Sequence, residues 1–222
     1  MKRTFIKPYP QEVENDIKSH AEEHANTISH GLGFLLFLVI SPFFIYLSTL
    51  RGNSLSITGV SIFCISILLL YFASTSYHLA KKEVLRHRFR IMDHVCIYIL
   101  IAGSYTPFML IYFNDNMGWI MLLVVWSMAL AGSIFKIFYT RKFKLGSTLI
   151  YIGMGWAAIF IINPMIDRLP TIALYFILAG GVSYTLGSVF YLWDKLYHNH
   201  FIWHLFVIGG TFLHLIAVFY CL

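Results

Sequence analysis

Residues 55–79 read LSITGVSIFCISILLLYFASTSYHL, and this stretch decides the fold. It contains no Asp, Glu, Lys or Arg, and it is longer than the roughly 20 apolar residues that a helix needs to cross a bilayer. Similar apolar blocks occupy the rest of the chain from Ile28 to Leu222, separated by polar residues, Pro and Gly. The predicted spans are 28–49, 55–79, 91–113, 117–138, 146–163, 171–192 and 200–221.

These blocks are continuously apolar and do not alternate as strands do, so they predict an all-α, polytopic bundle of seven transmembrane helices rather than a barrel. The predicted domains are a cytoplasmic N-terminal tail, 1–27, and the seven-helix domain, 28–222. The composition agrees, because 59% of the 222 residues are hydrophobic and 12% are charged. An ordinary soluble domain has about 25% charged residues, so a soluble globular enzyme is excluded.

Basic residues fall mainly on one side of the predicted spans. The side of the N-terminus holds 14 of the 16, namely Lys2, Arg3, Lys7, Lys18, Lys81, Lys82, Arg86, Arg88, Arg90, Lys136, Arg141, Lys142, Lys144 and Lys195. The other side holds Arg51 and Arg168. The positive-inside rule then predicts a multi-pass protein of the cell inner (plasma) membrane, with its N-terminus in the cytoplasm and its C-terminus outside. Because the basic residues set topology, we expect membrane lipids as partners and no nucleic acid.

Five polar residues inside the spans lie at one depth under this orientation. Ser74 and His78 end the second span, which runs inward, whereas Asp93 opens the third span. His200 and His204 open the seventh span at the same cytoplasmic side. Ionisable groups within a membrane span are costly, so these residues are candidates for function.

The histidine spacing predicts a metal site. His200 and His204 are spaced i, i+4 and therefore share one helix face. His78, from the second span, is the predicted third ligand. Three neutral imidazoles with an open fourth position suit catalytic zinc, which lowers the pKa of a bound water to about 7. His214 lies about 15 Å further along the seventh helix, too far to join the group.

Two polar residues near the histidines are predicted to act in catalysis. Asp93 is the carboxylate at this depth and would move a proton of the bound water. Ser74, one turn from His78, would stabilise an oxyanion.

Structural interpretations of the same residues stay open. His200 and His204 could lie at the level of the lipid headgroups, and Ser74 could bond back to its own helix. Asp93 could cap the third helix or pair with Arg90. For His30, His94 and His214 the structural interpretation is favoured.

The chain resembles the bacterial haemolysin III branch of the progestin and adipoQ receptor family. The motifs are Ser74-x-x-x-His78, Asp93-His94 followed by Ala102-Gly103-Ser104-Tyr105-Thr106-Pro107, and His200-Phe201-Ile202-Trp203-His204. Glu22-Glu23-His24-Ala25-Asn26 and Ser29-His30-Gly31 extend the resemblance over nearly the whole chain. The resemblance implies a seven-helix fold with zinc held by His78, His200 and His204, and with Asp93 and Ser74 beside the metal-bound water.

Three function classes follow. The first is a zinc-dependent hydrolase of a lipid amide or ester, similar to the alkaline ceramidases of the wider superfamily and involved in membrane-lipid homeostasis. The second is a receptor or membrane-state sensor, in which zinc ties helix ends together without turnover. The third is a haemolysin III-type cytolytic activity.

Overall fold

The computed structural model describes residues 20–140 and 142–222, which form helices and no strands. The helices are His20–Thr49, Ser54–Leu79, Glu83–Tyr112, Asn116–Tyr139, Lys144–Gly155, Ile162–Arg168, Thr171–Leu192 and Asn199–Cys221. A short 3₁₀ helix, Ala157–Ile161, joins two of them into one fifth span, Lys144–Arg168. The described chain thus has seven helical segments long and apolar enough to cross a membrane, which confirms the predicted fold.

The ends of two helices differ from the prediction. The third helix begins at Glu83 rather than at residue 91, and the first helix is already formed at His20 rather than at residue 28. The prediction began each span at its first apolar residues, but a helix can continue beyond the apolar region wherever its backbone hydrogen bonds are made. Residues 1–19 of the predicted tail, and Arg141, lie outside the described residues.

The fifth span also runs further than predicted. The predicted span ends at residue 163, but the helix Ile162–Arg168 continues through Asn163-Pro164, so the predicted end is wrong. Pro164 lies in the first turn of this helix, where a backbone N–H has no partner within the helix and its loss costs little.

Lys136 was counted with the basic residues on the side of the N-terminus, but it is not exposed there. It lies inside the fourth helix, Asn116–Tyr139, and only 2% of its surface is exposed. A count of Lys and Arg near span ends cannot distinguish an exposed side chain from a buried one, so the burial of Lys136 could not be predicted from the sequence.

The second and third spans form the centre of the bundle and pack tightly against each other. Gly59 permits this approach, because a Cβ atom there would lie 2.8 Å from the Cα of Pro107. The first and fourth spans flank this pair, the seventh contacts the first and the sixth, and the fifth packs loosely. A gap is therefore left beside the third span, bounded by the fifth, sixth and seventh spans.

The two basic residues predicted to lie outside both have partners in the structure. Arg51 donates a hydrogen bond to the carbonyl of Cys221 at the end of the seventh helix. Arg168 Nη1 lies 2.5 Å from Asp115 Oδ2, and this hydrogen bond lowers the pKa of Asp115 from its usual value. Asp115 in turn accepts from the N–H of Gly118 and caps the fourth helix.

We expect Gly59→Ala to destabilise the protein by about 1–3 kcal/mol, because the added methyl group would collide with the backbone at Pro107. Gly153→Ala is the matched control, since a Cβ there meets no atom within 4 Å and Ala favours a helix over Gly. The measurement is the thermal unfolding midpoint of each protein in detergent. Equal midpoints for the two variants would contradict the packing described at Gly59.

Candidate metal centre

Three histidines from two helices converge where the second helix ends and the seventh begins. One ligand atom from each of His78, His200 and His204 lies within 4.8 Å of the other two. The ring centroids of His200 and His204 are 4.6 Å apart, and each lies 5.1 Å from that of His78. His78 and His204 are buried and His200 is half-buried. The structure thus brings together the three residues that the sequence selected.

Glu23, from the first helix, fixes the ring of His78. Its Oε2 accepts a hydrogen bond from Nδ1–H of His78 at 2.8 Å, and its Oε1 accepts from Nη2 of Arg86 at 2.7 Å. A carboxylate that accepts from a ligand histidine orients the ring and sets its tautomer. Nδ1 of His78 therefore carries a proton, and Nε2 is the ring nitrogen that could bind an ion.

Ser29, also from the first helix, orients the ring of His204. The Ser29 hydroxyl donates its single proton to the carbonyl of Asn26 at 3.0 Å. It can then only accept from His204, whose Nδ1 lies 3.0 Å from the Ser29 Oγ. Nδ1 of His204 therefore also carries a proton, and Nε2 is the ring nitrogen that could bind an ion.

The donor set fits zinc. Two of the three rings use Nδ1–H in a hydrogen bond and so leave Nε2 as the nitrogen that could bind an ion, and the ligand atoms lie close enough to share one ion. Three such nitrogens are a known zinc donor set that leaves one coordination position for water or substrate. His78, His200 and His204 are the residues that could hold the ion.

Asp93 and Ser74 lie on the wall of the same cavity as His200 and His204. Asp93 is 6% exposed and Ser74 1%, and Ser74 lies beside the Asp93 carboxylate. Asp93 does not cap the third helix, because the helix begins at Glu83 with Lys82 as its N-cap residue.

The contacts of Asp93 and Ser74 bear on the other two structural interpretations, that Asp93 pairs with Arg90 and that Ser74 bonds back to its own helix. Arg90 acts electrostatically on Asp93, and its guanidinium also donates to the Tyr77 hydroxyl at 3.0 and 2.8 Å. Within the described residues, the Ser74 hydroxyl makes no hydrogen bond to its own helix, whereas those of Ser66 and Thr75 do. The first observation agrees with the interpretation that Asp93 pairs with Arg90, whereas the second shows that Ser74 does not bond back to its own helix.

The remaining histidines of interest divide into two kinds. His94 Nδ1–H donates to the Arg90 carbonyl at 2.8 Å, and His214 Nε2–H donates to the Ile177 carbonyl at 3.2 Å. All three line the cavity, but His30 stacks on His204, with ring centroids 3.5 Å apart, and is 2% exposed. His30 thus belongs to the site.

A mainly apolar cavity of about 460 Å³ extends from the three-histidine group into the bundle. Its walls come chiefly from the third, fifth, sixth and seventh spans. Several of its lining residues are also exposed on the outer surface of the fifth and sixth spans, namely Ile159, Ile166, Tyr175 and Leu178. The cavity therefore opens sideways between these spans, on a surface that faces lipid in a membrane.

Sequence reasoning missed the contribution of the first helix. Glu23 and Ser29 precede or begin the predicted first span, so they were counted with the tail or its boundary. A signal was present, because Glu23, Asn26 and His30 recur at helical spacing directly before an apolar run. If these polar residues had been interpreted as part of the first helix, the contribution of this helix to the site would have been predicted.

The fold and the site define a seven-span α-helical membrane protein with a three-histidine group beside a buried carboxylate. The family model described as Haemolysin-III related matches residues 18–215, so the chain belongs to the haemolysin III family. This result confirms the resemblance seen in the sequence.

The chain is similar to two bacterial proteins over nearly the full length of both partners. It is 42% identical over 200 residues to Hemolysin-3 of Bacillus cereus, which covers 90% of each chain. It is 40% identical over 200 residues to the Hemolysin-3 homolog of Bacillus subtilis, which covers 90% of this chain and 92% of the relative. The human protein Monocyte to macrophage differentiation factor is more distant, at 32% identity over 157 residues, 67% of this chain and 64% of its own.

We expect Glu23→Gln to weaken zinc binding by about 10- to 100-fold, because the substitution removes the charge that holds Nδ1–H of His78. The affinity is measured by competition with a chromophoric chelator, and the visible spectrum of the Co²⁺-loaded protein reports ligand geometry. Glu83→Gln makes the same chemical change at an exposed position of the third helix and should leave both unchanged. Equal affinities and spectra for the two variants would show that Glu23 does not position His78.

Proposed function

We propose that this protein is a zinc-dependent hydrolase of a lipid amide or ester, embedded in the inner (plasma) membrane and acting in membrane-lipid homeostasis. The observation that carries the proposal is the convergence of His78, His200 and His204 with the buried carboxylate of Asp93 at one end of an apolar cavity. A purely structural metal site would need neither the carboxylate nor the cavity.

In this proposal His78, His200 and His204 hold zinc through imidazole nitrogens. When bound, zinc would supply Lewis-acid polarisation of a carbonyl and would make a water molecule more acidic. Glu23 and Ser29 keep Nδ1 of His78 and of His204 protonated, so that Nε2 is the nitrogen presented to the ion.

Asp93 is proposed to act as the general base and acid. Its carboxylate borders the cavity close to the histidines, where it could accept a proton from water and return it to the leaving amine or alcohol. Ser74 lies beside Asp93, and its hydroxyl does not bond back to its own helix. We propose that it donates a hydrogen bond to the substrate oxygen as negative charge develops there.

The cavity supports a lipid substrate. Its apolar walls would shield an acyl chain, and its lateral opening between the fifth and sixth spans would admit a molecule from the bilayer without passage through water. Under the predicted orientation, the polar end of the cavity lies toward the inner leaflet, where lipid carbonyls are found.

Cytolysis is the second candidate, and the observation in its favour is the name of the bacterial relatives, Hemolysin-3. The two candidates predict different consequences for the site residues. If lysis is a consequence of lipid turnover, it disappears together with Asp93. If lysis only reflects disturbance of the membrane by the protein, it survives loss of Asp93. A sensor without turnover would retain metal and show no hydrolysis.

We expect detergent-purified wild-type protein to contain about one zinc ion per chain, since the three histidines provide one donor set. His200→Ala combined with His204→Ala should remove it. His87→Ala, at an exposed position of the third helix, is the matched control and should leave the zinc content unchanged. The measurement is metal content by mass spectrometry on monodisperse protein, and a folded wild-type protein that cannot be loaded with zinc would contradict the proposal.

Turnover is tested with lipid amides and esters presented in mixed micelles. We expect Asp93→Asn to lower the rate by about 100-fold or more while zinc is retained, because the proton-transfer group is lost. Ser74→Ala should lower the rate by a similar factor, as expected for loss of an oxyanion donor. Hydrolysis that survives Asp93→Asn would show that the role assigned to Asp93 is wrong. If zinc-loaded wild-type protein cleaves none of the lipids, the hydrolase proposal is contradicted and the sensor function is favoured.

A further inference from the structure

His214 is a histidine of the seventh helix that the proposed mechanism does not use. It lies ten residues after His204, about 15 Å further along the helix, and it lines the same cavity. His200, Val207 and His214 follow one another at intervals of seven residues, or about two turns, so all three lie on the face of the helix that borders the cavity. An ionisable side chain within a membrane span is costly and is a candidate for function.

One edge of the His214 ring is held against the sixth helix. Its Nε2–H donates to the carbonyl of Ile177 at 3.2 Å. A Cβ atom at Gly180 would overlap Cδ2 and Nε2 of the ring, so glycine is needed there to make room for it. Nδ1 lies across the five-membered ring from the Cδ2–Nε2 bond and therefore points away from this contact. With the proton on Nε2, Nδ1 of a neutral imidazole is a hydrogen-bond acceptor.

Nδ1 of His214 is buried and has no hydrogen-bond partner among the residues that the structure describes. The ring of Tyr184 lies edge-on to that of His214, with centroids 5.5 Å apart, but its hydroxyl is bonded to that of Thr211 at 3.0 Å. Thr211 donates its own proton to the Val207 carbonyl at 2.9 Å, so Tyr184 is the donor in this pair and cannot also donate to His214. Buried acceptors without a donor are rare, and this one therefore requires an explanation.

The cavity at the level of His214 is lined chiefly by apolar side chains. They include Phe108 and Met109 near the end of the third helix and Leu174 and Ile177 near the start of the sixth. A saturated acyl chain in this part of the cavity would leave Nδ1 of His214 without a donor, which costs free energy. A chain that carries a hydroxyl group at this level would donate to Nδ1 instead.

We propose that His214 recognises a hydroxyl group in the chain of the bound lipid. The lipid carbonyl would lie at the three-histidine group, and the chain hydroxyl would lie roughly 15 Å away, beside Nδ1 of His214. A site built to accept a hydrogen bond discriminates against the analogue that lacks the donor, because its acceptor is then left unpaired. This inference rests on the proposed function, since it takes a lipid chain to occupy the cavity, and it narrows the substrate class to lipids with a hydroxylated chain.

The test measures the binding of three fatty acids that differ in one hydroxyl group: stearate, 12-hydroxystearate and 6-hydroxystearate. The twelfth carbon of an extended chain is about as far from the carboxylate as His214 is from His204, roughly 15 Å, whereas the sixth carbon lies well short of His214. Dissociation constants of the wild-type protein are measured in a neutral detergent by competition with tritiated stearate. We expect 12-hydroxystearate to bind about threefold to tenfold more tightly than the other two, as for one hydrogen bond.

His214→Leu removes the acceptor, so we expect this variant to bind 12-hydroxystearate and stearate equally. His214→Gln should also lose the preference, because its amide can still donate to the Ile177 carbonyl but offers no acceptor at the position of Nδ1. His214→Asn, whose side-chain oxygen can take the position of Nδ1, should keep the preference. His94→Leu is the matched control, since His94 lines the same cavity and its Nδ1–H donates to the Arg90 carbonyl, and it should also keep the preference.

Two results would overturn the proposal: equal binding of the three fatty acids by the wild-type protein, or a preference for 12-hydroxystearate that survives both His214→Leu and His214→Gln. Equal binding would indicate that water, rather than a lipid hydroxyl, is the donor to Nδ1. His214→Gln keeps the contact with Ile177, so the test stands if His214→Leu fails to fold.

The experiment measures binding and not turnover, so the two proposals can fail separately. A preference for 12-hydroxystearate in a protein that hydrolyses no lipid would contradict the hydrolase and leave the role of His214 intact. Hydrolysis of lipids without this preference would contradict the role of His214 and leave the hydrolase intact.

Discussion

The hydrocarbon interior of a bilayer offers no hydrogen bonds, and the arrangement of this protein depends on that constraint. A polar side chain buried there is stabilised by a partner on another helix or on its own backbone. His78 donates a hydrogen bond to Glu23, Arg86 donates to Glu23, and His204 donates to Ser29. These contacts join the first, second, third and seventh helices at one end of the bundle. The candidate metal centre is where they meet.

The first helix provides none of the three histidines, yet it orients two of them. The residues that could bind an ion thus lie on the second and seventh helices, whereas the residues that orient them lie on the first. The geometry of the site therefore depends on how the first helix packs. A second network lies deeper, where the hydroxyl of Thr211 in the seventh helix meets those of Tyr71 and Tyr184. It ties the second, sixth and seventh helices together, so the helices that carry the histidines are fixed at two levels.

The two halves of the bundle differ in packing. The second and third spans approach closely at Gly59, whereas the fifth span is broken and packs loosely, which leaves the cavity beside it. A rigid side holds the polar groups in place, and an open side faces lipid. The polar groups therefore lie at one end of a cavity whose other walls are mainly apolar.

The sequence alone determined the class of fold and the three histidines, for physical reasons that are local. The thickness of a bilayer fixes the length of an apolar block, and the helical repeat fixes that His200 and His204 share a face. The sequence did not determine where the first and third helices begin. Both begin before the predicted residues 28 and 91, because polar residues can continue a helix beyond the apolar region.

Only the tertiary structure decided that Glu23 and Ser29 hold the histidines and that Lys136 is buried rather than exposed to water. Such contacts depend on the rotation and register of one helix against another. Register is set by the close approach of residues far apart in sequence, such as Gly59 with Pro107 and Gly132 with Tyr98, and no local spacing specifies it.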